Sequence, residues 1–384
     1  MRVLILASDV SSRSGIERYT AALATAFGEV LGPGNVDVLV WLKRGDAVEA
    51  VSGFRVFGPL SNNTRLPSKL RFIGKSLRMG RKRYDLVIAN HVALGPVAGM
   101  IRLFWGTPFW VPCYGFEVWY PLPTMELAAL KRAELVFPVS KFTAEKLEKV
   151  NCIPPAKMRI LHFAISRRLS SLLLASNGGV DAVAPGGRER VLLSVGRLNK
   201  ASAYKGYDTV IRALPKILAQ VPEARYVIVG NGDNRPNLEK LAADMGVAHR
   251  VSFAGEVPDT ELGVLYRTCD LFVLPSRAQG VDGPDSGEGF GGVYVEASLA
   301  GKPVVGSREA GAAEAVVDGV TGFLVNPQSV DEVADAALRL LSDTGLAARM
   351  GEAGRKWAGE NFTQEAMSRT LEELLRLTGH ATKS

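Results

Sequence analysis

Cysteine and long hydrophobic runs are both scarce in this sequence. Its 384 residues include three cysteines, Cys113, Cys152 and Cys269, at widely separated positions. That number and spacing argue against a disulfide framework or a cysteine metal cluster, and they fit reduced thiols in a cytoplasm. No run of 18 apolar residues occurs, so we expect no membrane-spanning helix. The apolar run in residues 1–9 is too short for a signal peptide, and we expect a buried strand there.

Motifs for metals and dinucleotides are absent as well. The four histidines lie far apart, and no Asp-x-Asp sequence follows a predicted strand, so we expect no metal site. No Gly-x-Gly-x-x-Gly sequence follows the first predicted strand, which argues against a dehydrogenase. The chain is instead 47% hydrophobic, which is ample for the cores of two globular domains of ordinary size.

Positive charge is concentrated in the first half of the chain. Residues 1–166 hold 22 Lys and Arg against 12 Asp and Glu, whereas the remainder holds 24 against 27. A stretch without acids contains the cations Arg65, Lys69, Arg71, Lys75, Arg78, Arg81, Lys82 and Arg83. Four of these cations share one helical face and Leu70, Ile73 and Leu77 share another, which predicts an amphipathic helix on an anionic membrane. The alternative is that the apolar face packs on the protein's own core. Nucleic acid is disfavoured, because no aromatic interleaving or nucleic-acid motif accompanies the cations.

Strands and helices alternate along the whole chain. Strands are predicted at residues 3–8, 36–41, 86–90, 109–112 and 135–138, and again at 191–195, 225–229, 251–254, 271–274 and 303–306. Such alternation favours parallel sheets covered by helices on both faces. The sequence therefore predicts two doubly wound α/β domains in tandem, with their junction near residues 170–190.

Residues 287–325 carry the strongest functional signal. Glu288 and Glu296 flank a glycine-rich loop that leads into a helix predicted to end near Ala300. Glycines allow a ligand close to the backbone, and the amides at a helix start attract phosphate. The two carboxylates are suited to sugar or ribose hydroxyls. The implied ligand is both phosphorylated and polyhydroxylated.

Further motifs occur in order around this segment. They are VGRL at 195–198, KG at 205–206, VGNG at 229–232, the Glu-x7-Glu pair, and GVTGFLV at 319–325. With these motifs the chain resembles the nucleotide-sugar-dependent retaining glycosyltransferases of family four, and the resemblance is densest after about residue 190. It implies the GT-B fold, in which two Rossmann-like domains face a cleft.

The resemblance implies roles for the donor-side residues. A donor diphosphate gains charge as the glycosidic bond breaks, so a transferase needs fixed cations beside it. Arg197, after a predicted strand, and Lys205, before a predicted helix, match the positions that clamp phosphates in the family. Glu288 would bind the sugar hydroxyls, and Glu296 would bind the ribose hydroxyls.

Backbone groups complete the expected donor site. Backbone amides facing sugar and phosphate are expected from Gly289, Phe290, Gly291, Gly292 and Val293. A turn at Ser14, Gly15 and Ile16 would add a phosphate contact from the first domain, where many family members have two glycines. The nucleotide base is expected against residues 255–258, which include Val257.

The acceptor side departs from the family pattern. Many members carry a His-Gly-x-Glu sequence, and this chain has Tyr114 in place of the histidine, followed by Glu117. Tyrosine can donate a hydrogen bond but is a poor base near neutral pH. In the mechanism often proposed for the family, the donor phosphate takes the acceptor's proton, so the substitution does not exclude catalysis. His91 is a second candidate near the acceptor.

The sequence thus predicts a retaining, metal-independent glycosyltransferase. Its domains would be residues 1–168 for the acceptor and 169–360 for the donor, with a helix in 361–384 that packs back on the first domain. It would move a hexosyl group from a UDP- or GDP-sugar to a lipid-linked or glycan acceptor at the cytoplasmic membrane face, in envelope or exopolysaccharide synthesis. The catalytic candidates are Glu288, Arg197, Lys205, Tyr114 and Glu117, and no cofactor is expected. The alternatives are a sugar-nucleotide epimerase of the same fold and a binding or scaffold protein without catalysis.

Overall fold

The computed structural model describes residues 1–9, 15–42, 54–81, 84–175, 189–278 and 287–380. The chain divides into two compact units, which we call unit 1 (Met1–Ser166 with Phe362–Ser384) and unit 2 (Arg167–Asn361). Each unit contains a six-stranded sheet whose strands run parallel. The predicted α/β class with two Rossmann-like domains is confirmed.

The sheet of unit 1 has the strand order β3-β2-β1-β4-β5-β6. Apart from the edge strand β3, every strand residue is buried, as expected for a parallel sheet with helices on both faces. The strands are β1 Val3–Ala7, β2 Val36–Val40, β3 Arg55–Phe57, β4 Leu86–Ala89, β5 Phe109–Cys113 and β6 Leu135–Pro138. The short strand β3 is half exposed, which explains why hydrophobicity alone does not predict it.

The helices of unit 1 cover the two faces of its sheet. They are α1 Gly15–Leu31, α2 Leu66–Gly80, α3 Gly95–Trp105, α4 Thr124–Arg132, α5 Lys141–Asn151 and α13 Gln364–Leu377, with 3-10 turns at Val92–Leu94, Phe116–Val118 and Pro155–Lys157. Right-handed crossovers place α2, α3 and α4 on one face, where they pack in that order. Helix α1 lies on the other face and packs against α13.

Helix α2 lies where the basic helix was predicted. Its buried residues are Ser68, Phe72, Ser76, Met79 and Gly80, whereas Leu70 is 59% exposed. Of the predicted apolar stripe, Leu70 thus lies in solvent, whereas Ile73 and Leu77 are half-buried. Phe72 and Met79 anchor the helix, because they project towards the sheet at helical spacing. Lys82 and Arg83 lie outside the described residues.

The terminal helix α13 belongs to unit 1. Gln364 donates from Nε2 to the carbonyl of Ala22 in α1 over 3.0 Å. Met367, Leu371 and Leu374 are buried at helical spacing, and Thr363 caps the helix by accepting from the amide of Ala366. An amphipathic helix thus closes the α1 side of the first sheet.

The sheet of unit 2 has the order β12-β11-β10-β7-β8-β9. Its strands are β7 Arg190–Val195, β8 Ala224–Val229, β9 Val251–Gly255, β10 Leu271–Val273, β11 Val304–Ser307 and β12 Gly322–Val325. Its helices are α6 Arg167–Leu174, α7 Tyr207–Leu218, α8 Arg235–Asp244, α9 Asp259–Thr268, α10 Gly292–Leu299, α11 Val330–Ser342 and α12 Thr344–Asn361, with 3-10 turns at Lys200–Lys205, Ala248–Arg250 and Ala310–Glu314. The strand order reverses between β7 and β10, which creates a crevice at their carboxyl ends.

Candidate active site

The loops after β7 and β8 meet at the carboxyl edge of the second sheet. The amide of Leu198 donates to the carbonyl of Asn231 over 2.9 Å. Gly230 has φ +132°, and a Cβ there would lie 1.9 Å from the carbonyl oxygen of Gly196. The VGRL and VGNG motifs therefore pack against each other through their backbones. This contact fixes the chain at Arg197.

Lys205 and Glu288 form a buried ion pair in the crevice beside β7. Their side chains are 9% and 12% exposed, and Lys205 Nζ contacts Glu288 Oε1. Burial lowers the pKa of Lys205, but the carboxylate of Glu288 and the nearby Tyr204 offset this, so the net pKa is raised. The ammonium group therefore remains charged at neutral pH.

Two tyrosines that the sequence analysis did not single out also line this position. Lys205 Nζ lies 5.5 Å from the ring centroid of Tyr204, whose pKa is raised by burial and by Glu288, and lowered by Lys205 and Arg197. The hydroxyl of Tyr207 is buried and has no hydrogen-bond partner among the described residues. Both tyrosines flank the Lys205-Gly206 motif, which was the available signal. Arg197, Tyr204, Lys205 and Glu288 thus form one cluster.

The loop that carries Glu288 is held tightly at the start of α10. The amide of Gly311 donates to the carbonyl of Glu288 over 3.0 Å. Gly291 precedes the helix with φ +90°, and a Cβ there would lie 2.4 Å from the ring of Tyr294. Gly292 and Val293 form the first turn of α10, where amides lack helical acceptors. Gly289 lies in the same loop, and the side chain of Phe290 is 4% exposed, so only its backbone is suited to a ligand.

Glu296 lies deeper in α10 than Glu288. Its side chain is 3% exposed, and its Oε2 accepts a 2.9 Å hydrogen bond from the hydroxyl of Tyr266 in α9. Val257 follows β9, and Gly255 accepts from the amide of Gly230 over 2.8 Å. The carboxyl ends of β7, β8 and β9 and the start of α10 thus hold the donor-side candidates at one edge of the sheet.

In unit 1, Tyr114 takes part in a hydrogen-bonded chain at the carboxyl ends of β4 and β5. Its hydroxyl donates to Asn90 Oδ1 over 2.9 Å, and Asn90 in turn donates to Thr20 Oγ1 in α1. The ring of Tyr19 packs edge-on against Tyr114, with 5.1 Å between centroids. Burial raises the pKa of Tyr114 well above 10, so the phenol is protonated at neutral pH. Tyr114 is therefore a hydrogen-bonding group rather than a base.

The other unit 1 candidates have local roles. Glu117 accepts from the amide of Tyr114, and burial raises the pKa of its carboxyl group despite this bond. His91 caps the turn Val92–Leu94 by accepting at Nδ1 from the amide of Ala93 over 3.1 Å, and burial lowers its pKa. Gly15 and Ile16 begin α1 at the same edge. Ser14 lies outside the described residues.

The described ranges contain neither a cluster of metal ligands nor a membrane-spanning helix. In the described ranges, no group of three or more His, Cys, Asp or Glu could hold a metal ion. Asp282 and Asp285, in the loop before Glu288, lie outside those ranges. Within the same ranges, no helix is long and apolar enough to cross a bilayer.

Comparison with known proteins places the two units in one family. Residues 13–167 match the model described as glycosyltransferase family 4, and residues 181–357 match glycosyl transferases group 1. The chain is 42% identical over 178 residues to a GDP-mannose-dependent alpha-(1-6)-phosphatidylinositol monomannoside mannosyltransferase of Mycolicibacterium smegmatis, over 46% of each chain. The matched part thus spans about half the length of this curated relative.

Two further relatives extend over more of the chain. A D-inositol 3-phosphate glycosyltransferase of Nocardia farcinica is 30% identical over 333 residues, which are 76% of this chain and 69% of that protein. The crystal structure of Anabaena HepE in complex with UDP and glucose superposes with a TM-score of 0.75 at 22% identity, over 98% of this chain and 99% of that one. The architecture is that of a glycosyltransferase with the GT-B fold. The chain belongs to glycosyltransferase family 4.

Proposed function

We propose that this chain is a retaining, metal-independent glycosyltransferase that moves a hexosyl group from a UDP- or GDP-sugar to a lipid-linked or glycan acceptor. The observation that carries the proposal is the buried Lys205–Glu288 pair beside Arg197 in the crevice at β7. The Mycolicibacterium relative is GDP-mannose-dependent and acts on a phosphatidylinositol mannoside, which makes GDP-mannose the first donor to test and a glycolipid the first acceptor.

Each donor-side group has a part in this proposal. Arg197 and Lys205 bind the diphosphate and stabilise the charge that grows on it as the nucleotide leaves. Glu288 accepts hydrogen bonds from the hydroxyls of the transferred sugar. Glu296, oriented by Tyr266, accepts from the ribose hydroxyls. The amides of Gly292 and Val293 add donors at the start of α10.

The proposed transfer keeps the configuration of the sugar. The bond between the anomeric carbon and the phosphate oxygen breaks, and the bond to the acceptor oxygen forms on the same face. The acceptor's proton passes to the departing phosphate oxygen, so no protein base is required. Tyr114 donates a hydrogen bond and is not itself deprotonated, which agrees with its raised pKa.

Metal independence follows from the charge that the chain supplies. Arg197 and Lys205 provide two positive groups where a divalent cation would otherwise neutralise the diphosphate. We expect the initial rate to be unchanged in excess chelator. A rate that falls on chelation and returns with magnesium or manganese would contradict this part of the proposal.

We further propose that the protein works at the cytoplasmic face of the membrane, in envelope or exopolysaccharide synthesis. This is supported by the exposed cations and leucines of α2, including Lys69, Arg71 and Lys75, with Leu66 and Leu70 at 67% and 59% exposure. Cations beside apolar side chains suit a surface of anionic lipids.

The deciding experiment is a panel of donors tested first for binding and then for transfer. Purified protein is melted with GDP-mannose, UDP-glucose and ADP-glucose, since a ligand at about 100 times its Kd stabilises the fold by about 2.7 kcal/mol. The donor that stabilises is then incubated with a phosphatidylinositol mannoside, and NMR follows the anomeric configuration of the product. An inverted product contradicts retention. Binding without turnover on any acceptor would favour the scaffold alternative, and a converted but untransferred donor would favour the epimerase.

A further inference from the structure

Three large apolar side chains project into solvent at the end of α3. Leu103, Phe104 and Trp105 are 79%, 61% and 39% exposed, and we call them the α3 tip. The ring centroids of Phe104 and Trp105 lie 5.6 Å apart. Single exposed apolar residues are common on protein surfaces, but three consecutive large ones form a patch that indicates an interaction site.

The last turns of α2, α3 and α4 lie together around this tip. Each helix leads into the next strand of the sheet, so all three end at the amino edge of β4, β5 and β6. A Cβ on Gly80, the last residue of α2, would lie 3.0 Å from a methyl group of Ile101 in α3. Arg102 donates from Nη1 to the carbonyl of Arg132 at the end of α4 over 2.7 Å. The three helix ends are thus in contact.

The surroundings of the α3 tip are strongly basic. The three helix ends carry the exposed cations Arg78, Arg81, Arg102, Lys131 and Arg132. None of these forms an ion pair with another described residue. Helices α2 and α3 contain no acid. Two acids, Asp85 and Glu134, lie at the same edge of the sheet, but both have other partners. Asp85 accepts from the amide of Arg2, and Glu134 accepts from the indole of Trp110 and contacts His380.

We propose that the α3 tip inserts into an anionic lipid bilayer while the five surrounding cations contact its headgroups. The combination of an aliphatic residue, two adjoining aromatic residues and cations without an ion pair among the described residues matches both layers of a membrane surface, the apolar interface and the anionic headgroups. This inference rests on the proposed membrane location, and it moves the main contact from the basic face of α2 to the shared ends of three helices.

Sedimentation with vesicles tests the proposal without requiring catalysis. The vesicles are phosphatidylcholine, either pure or mixed two to one with phosphatidylglycerol. We expect wild-type protein to bind the anionic vesicles and the triple variant Leu103→Ser, Phe104→Ser, Trp105→Ser to bind at least tenfold more weakly. A second variant, Arg78→Gln, Arg81→Gln, Lys131→Gln, should lose binding to a similar extent. Raising the salt to about 0.5 M should weaken wild-type binding, because it shortens the Debye length.

A matched control removes exposed apolar residues elsewhere. Val264, Val317 and Leu377 are 42%, 37% and 75% exposed, and their replacement by Ser should leave vesicle binding unchanged. Trp105→Phe keeps the apolar character of the tip, so it should still bind, but it should lose the quenching of tryptophan fluorescence by brominated lipid. That measurement does not depend on the folding of the triple variant.

Two results would overturn the proposal. One is equal vesicle binding by wild-type and tip variants. The other is a wild-type dimer in analytical ultracentrifugation that the tip variant dissociates, since the occupant of the tip would then be a second copy of this chain. Donor stabilisation is measured on every variant. If the donor still stabilises a variant that no longer binds vesicles, the proposed glycosyl transfer is unaffected. If the donor does not stabilise the wild-type protein, the result counts against glycosyl transfer and not against membrane binding.

Discussion

At the scale of residues, the ion pair between Lys205 and Glu288 decides what the crevice of unit 2 can accept. The pair puts the cation that we propose binds phosphate in direct contact with the carboxylate that we propose binds sugar hydroxyls. A ligand that bound only one of them would leave the other charge buried and unpaired, which is costly. A nucleotide-sugar carries partners for both, since its phosphate and its sugar are covalently joined.

The first prediction concerns Glu288→Gln, which keeps the size of the side chain and removes its charge. We expect kcat/KM to fall by about 100-fold or more, because Glu288 is proposed to contact the reacting sugar. Initial rates and circular dichroism would be measured together. Glu239→Gln is the control, since Glu239 forms an exposed pair with Arg235 on α8 and should retain full activity. Full activity in Glu288→Gln would refute the assigned site.

The second prediction separates two roles for Tyr114. Because burial raises its pKa well above 10, the phenol cannot serve as a base at neutral pH. Tyr114→Phe should therefore lower kcat/KM by about tenfold, the loss of one hydrogen bond of about 1–1.5 kcal/mol, without changing the shape of the pH profile between pH 6 and 9. A wild-type rate that rises with pH and a variant rate that does not would show that Tyr114 acts as a base.

At the scale of elements, a glycine lets the loops after β7 and β8 pack closely in the proposed donor site. Gly230→Ala introduces a Cβ 1.9 Å from the carbonyl of Gly196, at φ +132°. We expect a loss of unfolding free energy above about 2 kcal/mol, from strain and displacement of the β7 loop, together with weaker donor binding. Gly246→Ala is the matched control, since Gly246 also has positive φ but nothing lies within 4 Å of the added Cβ.

Urea unfolding and a nucleotide titration would compare the two variants. Gly246→Ala should cost about 1 kcal/mol from its φ alone and leave nucleotide affinity unchanged. Equal costs for the two substitutions would mean that the loops of β7 and β8 are not held together by this close approach.

His91 gives a pH-dependent prediction for the turn after β4. Its folded-state pKa lies below the ordinary 6.5 because of burial. The unfolded chain then binds a proton first, so His91 destabilises the fold as pH falls through 6.5. His91→Asn can still cap the turn and should remove this part of the pH dependence. Urea unfolding between pH 5 and 7.5 would show it. Parallel curves for both proteins would contradict the assignment.

Most strands, but not all, could be predicted from the sequence. All ten predicted strands are present, and most of them are buried apolar runs such as Val3–Ala7, although the edge strand β9 is partly exposed. Strand β3, half exposed, has no such run, and Gly322–Val325 contains a glycine where the backbone of β11 passes close by. In the site, the motifs located Lys205 and Glu288, but not their ion pair or the buried hydroxyl of Tyr207. The ion pair joins side chains 83 residues apart in sequence, and the burial of the Tyr207 hydroxyl depends on tertiary packing.

At the scale of the whole molecule, the two units have separate cores that can be probed separately. Leu371 of α13 is fully buried in unit 1. Leu371→Ala should cost about 2–4 kcal/mol, because it leaves a cavity beneath the helix. Hydrogen exchange should rise in α1 and α13, while protection of β7 and β8 and stabilisation by donor stay unchanged. Exchange that rose equally in both sheets would show that they unfold as one cooperative body.

The discontinuity of unit 1 also orders events on the ribosome. Residues 167–361 form a continuous unit that can close as soon as they leave the exit tunnel, whereas the first unit waits for residues 362–384. At about 5–20 residues per second, roughly 200 intervening residues take about 10–40 s to translate. During that time the surface of α1 that later receives Met367 and Leu371 is uncovered. Most of unit 1 is therefore synthesised before unit 2 but is completed after it, and unit 1 is the part that a chaperone would have to shield.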